Sequence, residues 1–229
     1  LNIHVKTKED SDWAKAGYEV AYAQFTIDAK STKVAHTLNG KNVQIKKQSH
    51  YFIVSGKDFR FKLNLDTGLL ESYYYKDQLL MKEGPKPNIS RAKLDNDSSH
   101  FKDIMSYLTL DGEPTVGKSA DGNYMLTTKW NSSYLLDSKT KTPGTIEMSY
   151  LIEDTGAVTV RMKLDFTKTK VKKFIKVGTR LSLAKGTENV SWYGNGDDES
   201  YCDRQTYTRV GAYTSTVNKM FYPFAKPQD

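Results

Sequence analysis

The chain of 229 residues has one cysteine, Cys202, only six prolines and four histidines. A single cysteine excludes an internal disulfide framework and any Cys-rich zinc site. The longest apolar runs, such as Tyr51 to Val54, fall far short of the roughly 20 residues that a membrane-spanning helix needs, and no basic-then-apolar leader opens the chain. His4, His36, His50 and His100 are scattered, without the spacing of a zinc site or a catalytic triad. Helical periodicity is also scarce, and His100 to Leu108 is the best short candidate. The hydrophobic fraction of 38% and charged fraction of 27% exclude a disordered composition. The length admits one large domain, or a modest domain with an attached piece.

What is present is strand pattern. Leu1, Ile3, Val5 and Thr7 alternate with polar residues, as do Phe59, Phe61, Leu63 and Leu65, the period of a half-buried strand. The second series meets Asp66-Thr67-Gly68 and returns through Leu69 to Tyr75. Ile146, Met148, Tyr150 and Ile152 repeat the arrangement, turn at Asp154-Thr155-Gly156, and return through Val158, Val160, Met162 and Leu164. Two hairpins of one design predict an antiparallel meander. Further strands are expected at Tyr124 to Trp130, Phe174 to Leu183 and Val190 to Tyr193. The fold class that follows is all-β, a large twisted antiparallel β-sandwich.

The net charge of +7 raises nucleic acid as a partner, but the basic residues are spread along the chain. The one dense run, Lys168, Lys170, Lys172, Lys173 and Lys176, mostly follows a two-residue period that puts four of the five opposite Val171 and Ile175, which reads as a solvated strand face or a lysine-guarded edge. Neither a nucleic-acid nor a membrane partner is expected. Residues 28–48 are polar and basic and read as a connecting strap. Residues 1–27 carry two strand patterns, too few to bury a core alone. They are expected to be the tail of a preceding domain, and residues 49–229 the main sandwich. With no initiating Met before Leu1, the chain reads as a piece of something longer.

Four stretches carry a family resemblance. Trp13-Ala14-Lys15-Ala16-Gly17-Tyr18-Glu19-Val20-Ala21-Tyr22-Ala23-Gln24-Phe25 resembles WAxxGHEVAWxQF, the end of the second immunoglobulin-like domain in glycoside hydrolase family 2 β-galactosidases. Phe61 to Leu70, followed by Arg91-Ala92-Lys93-Leu94-Asp95-Asn96-Asp97, resembles the opening of their large C-terminal domain and its RAPxDND. Trp192 to Arg204 is similar to WxGxGPxExYxDR, and Tyr222 to Asp229 to the start of PYxxPQEN. The order is the family order. Lys93 and Asp197 stand where the family has proline, Tyr18 where it has histidine, and Asp229 where it has glutamate.

The resemblance implies a multidomain retaining glycosidase, in which one glutamate attacks the anomeric carbon and a second acts as acid and then base, about 5 Å apart. Both belong to a catalytic barrel outside this chain, so no catalytic residue is expected here. The implied C-terminal domain is a supersandwich similar to galactose mutarotase that packs on the barrel and other domains of the parent enzyme and helps wall the pocket for a galactoside substrate. No cofactor is implied for these residues, only divalent and monovalent metal ions bound elsewhere in the parent.

From the residues alone, Arg91, Asp95, Asn96 and Asp97 form a polar array able to grip sugar hydroxyls at an interface, or to hold a loop closed on its own backbone donors. Calcium is excluded. Asp95, Asp97 and Ser99 mimic an EF-hand opening, but His100 stands where glycine is required and Ser106 where glutamate must close the site. Trp192, Gly194, Gly196, Glu199, Tyr201, Asp203 and Arg204 make a second array. Its glycines would let the backbone turn, its acids and Arg204 could pair across that turn, and Trp192 would either stack on a sugar or sit in the core. A different class stays open: an autonomous carbohydrate-binding or aldose-epimerising sandwich.

Overall fold

The computed structural model describes residues 1–27, 42–91, 104–134, 139, 141–198, 200, 204–221 and 223. Among them the strands are β1 (Asn2–Lys6), β2 (Glu19–Gln24), β3 (Gln44–Gln48), β4 (Tyr51–Ser55), β5 (Phe59–Asn64), β6 (Leu70–Tyr75), β7 (Gln78–Asn88) and β8 (Leu108–Leu110). There follow β9 (Thr115–Lys118), β10 (Tyr124–Ser132), β11 (Gly144–Ile152), β12 (Val158–Asp165), β13 (Gly178–Leu183), β14 (Asn189–Gly196) and β15 (Arg209–Thr216). Among the described residues, helix is confined to a 3-10 turn at Ile104–Tyr107 and one α-turn, α1 (Val217–Met220). The chain divides into two compact units, one drawn from Leu1–His36 and Glu188–Tyr222, the other from Thr37–Thr187 and Pro223–Asp229.

The second unit is a sandwich of two antiparallel sheets. One runs β13-β7-β6-β5-β4-β3; the other runs β12-β11-β10-β8, with β9 also on β10. Strand β5 buries Phe59, Phe61 and Leu63 and exposes Arg60 and Lys62. In β11 the inward side chains Ile146, Met148, Tyr150 and Ile152 are wholly buried, because its neighbours β10 and β12 flank it in full register while the other sheet covers its face. These residues join Val54, Phe61, Leu63, Leu70 and Leu126 in one core cluster.

Polar side chains tie the layers together where burial would otherwise strand them. The Tyr150 hydroxyl donates to the Pro85 carbonyl at 3.0 Å, and burial pushes its phenol pKa up. The Tyr73 hydroxyl donates to Gly156 at 2.6 Å, and Trp130 Nε1 to Thr67 at 3.3 Å. Both hairpin turns thus dock on the opposite sheet, which accounts for their glycines. Gly68 has φ +72° and a Cβ there would stand 2.2 Å from Thr128 Cγ2; Gly156 has φ +91° and its Cβ would stand 2.7 Å from Tyr73 Oη. The Asn64 side chain accepts from the amides of Asp66 and Thr67 at 2.9 and 3.2 Å, closing the first turn.

The structure departs from the sequence reading in several places. Gln44–Gln48, assigned to the strap by its polarity, is the edge strand β3, whose single partner β4 leaves its polar side chains in solvent. The lysine run is not a strand. Thr167 donates through its amide and hydroxyl to the Asp165 carboxylate at 3.1 and 2.7 Å, and Thr169 donates to the Phe166 carbonyl. These local bonds turn the chain away from a ladder; past an isolated bridge at Thr169, strand pairing resumes at Gly178. Of the helix expected at His100 to Leu108, residues 100–103 lie outside the described residues; Ile104–Tyr107 form the 3-10 turn, and Leu108 enters β8 and pairs with Ser132.

In the first unit β1 pairs antiparallel with β2, and β14 with β15. The late hairpin groups with the early one, across most of the chain.

Thr128 is 1% exposed, and its hydroxyl finds no partner among the described residues. Leaving such a donor unsatisfied costs on the order of 1–3 kcal/mol. Thr128→Val is therefore expected to stabilise by about 1 kcal/mol and raise Tm by ~2–4 °C in calorimetry, and a lower Tm would refute the assignment. Met148→Ala, which opens a cavity in the dry core, is expected to cost about 2–5 kcal/mol on denaturant unfolding.

Candidate functional site

Trp192 and Tyr213 are ladder partners on β14 and β15, so their side chains project on the same face. Their rings stack, 5.5 Å between centroids and 28° between planes, and Trp192 Nε1 donates to the Asn195 carbonyl at 3.0 Å. Trp192 is half-buried, with one face spent on Tyr213. Gly194 and Gly196 lie within β14 rather than at a turn, which corrects the expectation drawn from their spacing. The reason at Gly196 is packing: a Cβ there would meet Tyr213 Cδ2 at 2.7 Å and Trp192 Cζ2 at 3.0 Å.

Gly196 pairs with Arg209, the last rung of this ladder. Arg209 is a residue that sequence reasoning missed. Its guanidinium grips both carboxylate oxygens of Glu19 on β2 and lies 3.9 Å from the centre of the Tyr22 ring. Its carbonyl accepts from the Tyr213 hydroxyl at 2.7 Å. One residue on, the Gln24 side chain meets the Val210 backbone twice: Nε2 donates to its carbonyl at 2.7 Å, and Oε1 accepts from its amide at 2.8 Å. His4 Nδ1 completes the cluster 2.7 Å from Glu19 Oε2. Glu19 and Gln24 belong to the first resembling stretch, and Trp192 and Gly196 to the third. The fold brings the two stretches together through a residue, Arg209, that belongs to neither.

The electrostatics follow from this geometry. Arg209, then His4, hold the Glu19 carboxyl down at about 2, and Glu19 in turn pushes the Arg209 guanidinium up. Ionised near neutrality and engaged on both oxygens, Glu19 has no proton to donate. It acts as a clamp, not as a general acid.

The remaining sequence candidates are dispersed. Arg91 is half-buried just past β7; Asp95, Asn96 and Asp97 lie outside the described residues, as do Glu199, Tyr201 and Asp203. The Arg204 guanidinium sits 5.5 Å from the centre of the Tyr207 ring. Two shallow clefts flank Ser55 to Lys57. One, of about 370 Å³, is lined by Lys57, Asp58, Arg60, Lys76 and Asp77; the other, of about 330 Å³, by Asn42, Gln44 and Lys57. Neither includes a residue singled out from the sequence. Among the described residues, no group of three His, Cys, Asp or Glu is disposed to hold a metal ion.

An all-β sandwich of this sequence falls within a defined class of polypeptides. Residues 55–229 match the β-galactosidase small chain family, and the chain belongs to it. The β-galactosidase of Priestia megaterium (strain DSM 319 / IMG 1521) is 25% identical over 235 residues, an alignment covering 100% of this chain and 22% of that protein. That of Streptococcus thermophilus is 26% identical over 97% of the chain and 21% of its own length; that of Clostridium acetobutylicum is 26% identical over 94% and 24%. The chain thus spans less than a quarter of the length of these relatives. The stretch from Trp13 to Phe25 precedes the family match yet falls within the full-length alignment to the Priestia protein.

Because the folded Glu19 pKa of about 2 lies below its ordinary value of 4.5, the clamp's stabilisation is fully present above about pH 4.5 and is lost as pH falls towards 2. Glu19→Gln is accordingly expected to melt below wild type at pH 6, with the two Tm values converging as pH is lowered through that window. Parallel curves from pH 6 to 2 would show that Glu19 is not held by Arg209.

Proposed function

We propose that this chain is an accessory C-terminal part of a retaining β-galactosidase of glycoside hydrolase family 2, helping to wall the galactoside pocket of a catalytic barrel outside it. The observation that carries the reading is the match of essentially the whole chain to β-galactosidases more than four times its length. Among the described residues, the Glu19 carboxylate is committed to Arg209. In this reading residues 1–27 are the end of an immunoglobulin-like domain. Their apolar side chains support it, since Leu1, Ile3 and Val5 stay 63%, 46% and 52% exposed, as the inner face of a partial sheet would. The stretch before β3 connects to the C-terminal sandwich of galactose mutarotase type, and residues 91–97 supply polar contacts at the pocket wall. The metal ions and the other domains of the parent enzyme lie outside this chain. An autonomous sugar epimerase would need a histidine and a carboxylate facing each other across a cleft; among the described residues, the His4–Glu19 and His50–Asp66 pairs are on the surface.

The purified chain is expected to leave a nitrophenyl β-galactoside unhydrolysed. Turnover that survives purification and vanishes on mutating an acid within the chain would overturn this reading. In the full-length enzyme, Arg91→Ala is expected to lower kcat/KM tenfold or more, about 1.4 kcal/mol of transition-state stabilisation, with little change in Tm. A clear fall in Tm at unchanged activity per folded molecule would instead make Arg91 a brace of the sandwich.

A further inference from the structure

We infer that Glu19 and Gln24 are positioning residues for the Trp192 motif, so that the β1–β2 hairpin sets where the β14–β15 hairpin presents its loop end. The functional side of this inference rests on the galactosidase reading above. The geometry is a continuous mechanical path. Gly196 and Arg209 are the two posts between which the chain leaves β14 and returns to β15. The Arg209 post is fixed from β2 by the two-pronged grip on Glu19 and by the Tyr22 ring beneath the guanidinium. Its neighbour Val210 is fixed by the paired bonds from Gln24. At the Gly196 post the Tyr213 and Trp192 rings leave no room for a side chain, and Tyr213 returns to the Arg209 carbonyl through its hydroxyl. The links at Glu19 and Gln24 are directional, a fork on a carboxylate and an amide on a peptide, and Trp192 and Tyr213 meet ring on ring, so a change at Glu19 is passed along β15 to Trp192.

A structural brace alone would contribute stability and nothing else. Positioning requires in addition that the surroundings of Trp192 and the engagement of substrate change while the hairpin remains folded. In the chain itself, the near-ultraviolet circular dichroism removed by Trp192→Phe defines the signal of the stacked pair. Glu19→Gln and Gln24→Ala are each expected to lose at least half of that signal at a temperature where far-ultraviolet dichroism shows both variants folded. Arg209→Lys, which keeps the charge and loses the fork, is expected to do the same. The reversal Glu19→Arg with Arg209→Glu is expected to restore it, and Glu9→Gln, on an exposed residue of the same unit, to leave it intact. In the full-length enzyme, Glu19→Gln is expected to raise KM for a nitrophenyl galactoside fivefold or more with kcat within twofold. An unchanged Trp192 signal in folded variants would overturn the inference, and so would a lost signal with KM unaltered. A wild-type full-length protein that hydrolyses no galactoside would refute the galactosidase reading instead, and the dichroism of the chain would still decide whether the two hairpins are coupled.

Discussion

The second unit depends on one constraint, the two-residue period of β11. Ile146, Met148, Tyr150 and Ile152 all point into the sandwich and none retains contact with solvent. A slip of one residue would turn this whole set outward and bring Thr145, Glu147, Ser149 and Leu151 in. The fully paired ladders to β10 and β12 hold that register, and the Tyr150 hydroxyl pins it across the core to the Pro85 carbonyl. The turns that dock on the opposing sheet at Gly68 and Gly156 work only while β11 and its neighbours keep this phase.

The first unit is organised on a different principle. Its hairpins bury little, and what joins them is a set of directional polar contacts on Glu19, Gln24, Arg209 and Val210. Directional contacts specify position more sharply than they stabilise, which suits an element that has to present a motif accurately.

Much of the fold was legible because alternation is a local signal. The β5–β6 and β11–β12 hairpins could be read from Phe59, Phe61 and Leu63 and from Ile146 to Ile152, with the turn glycines marking where each reverses. What could not be read was set by contacts distant in sequence or by competing local bonds. Edge strand β3 has only one neighbour and therefore needs no apolar alternation. The lysine run kept the period of a strand while Thr167 and Thr169 bent its backbone. Gly196 looked like part of a turn because its reason, the approach of the Tyr213 ring, is invisible until the partner strand is placed. The resemblance located Trp192, Gly196, Glu19 and Gln24, but not Arg209. A lone arginine between a threonine and a valine carries no pattern, and its role exists only once residues some 190 positions apart meet. Arg91 could be placed, whereas its companions Asp95, Asn96 and Asp97 fall outside the described residues.

The paired bonds from Gln24 to Val210 have a consequence for self-association. A short two-stranded ribbon offers its outer peptide groups to any extended segment that drifts alongside, the usual first step of edge-to-edge aggregation. By occupying both the amide and the carbonyl of Val210, the Gln24 carboxamide imitates one rung of an adjoining strand and blocks recruitment there. It does so with an uncharged group, so this blunting of the edge persists at acidities that titrate Glu19.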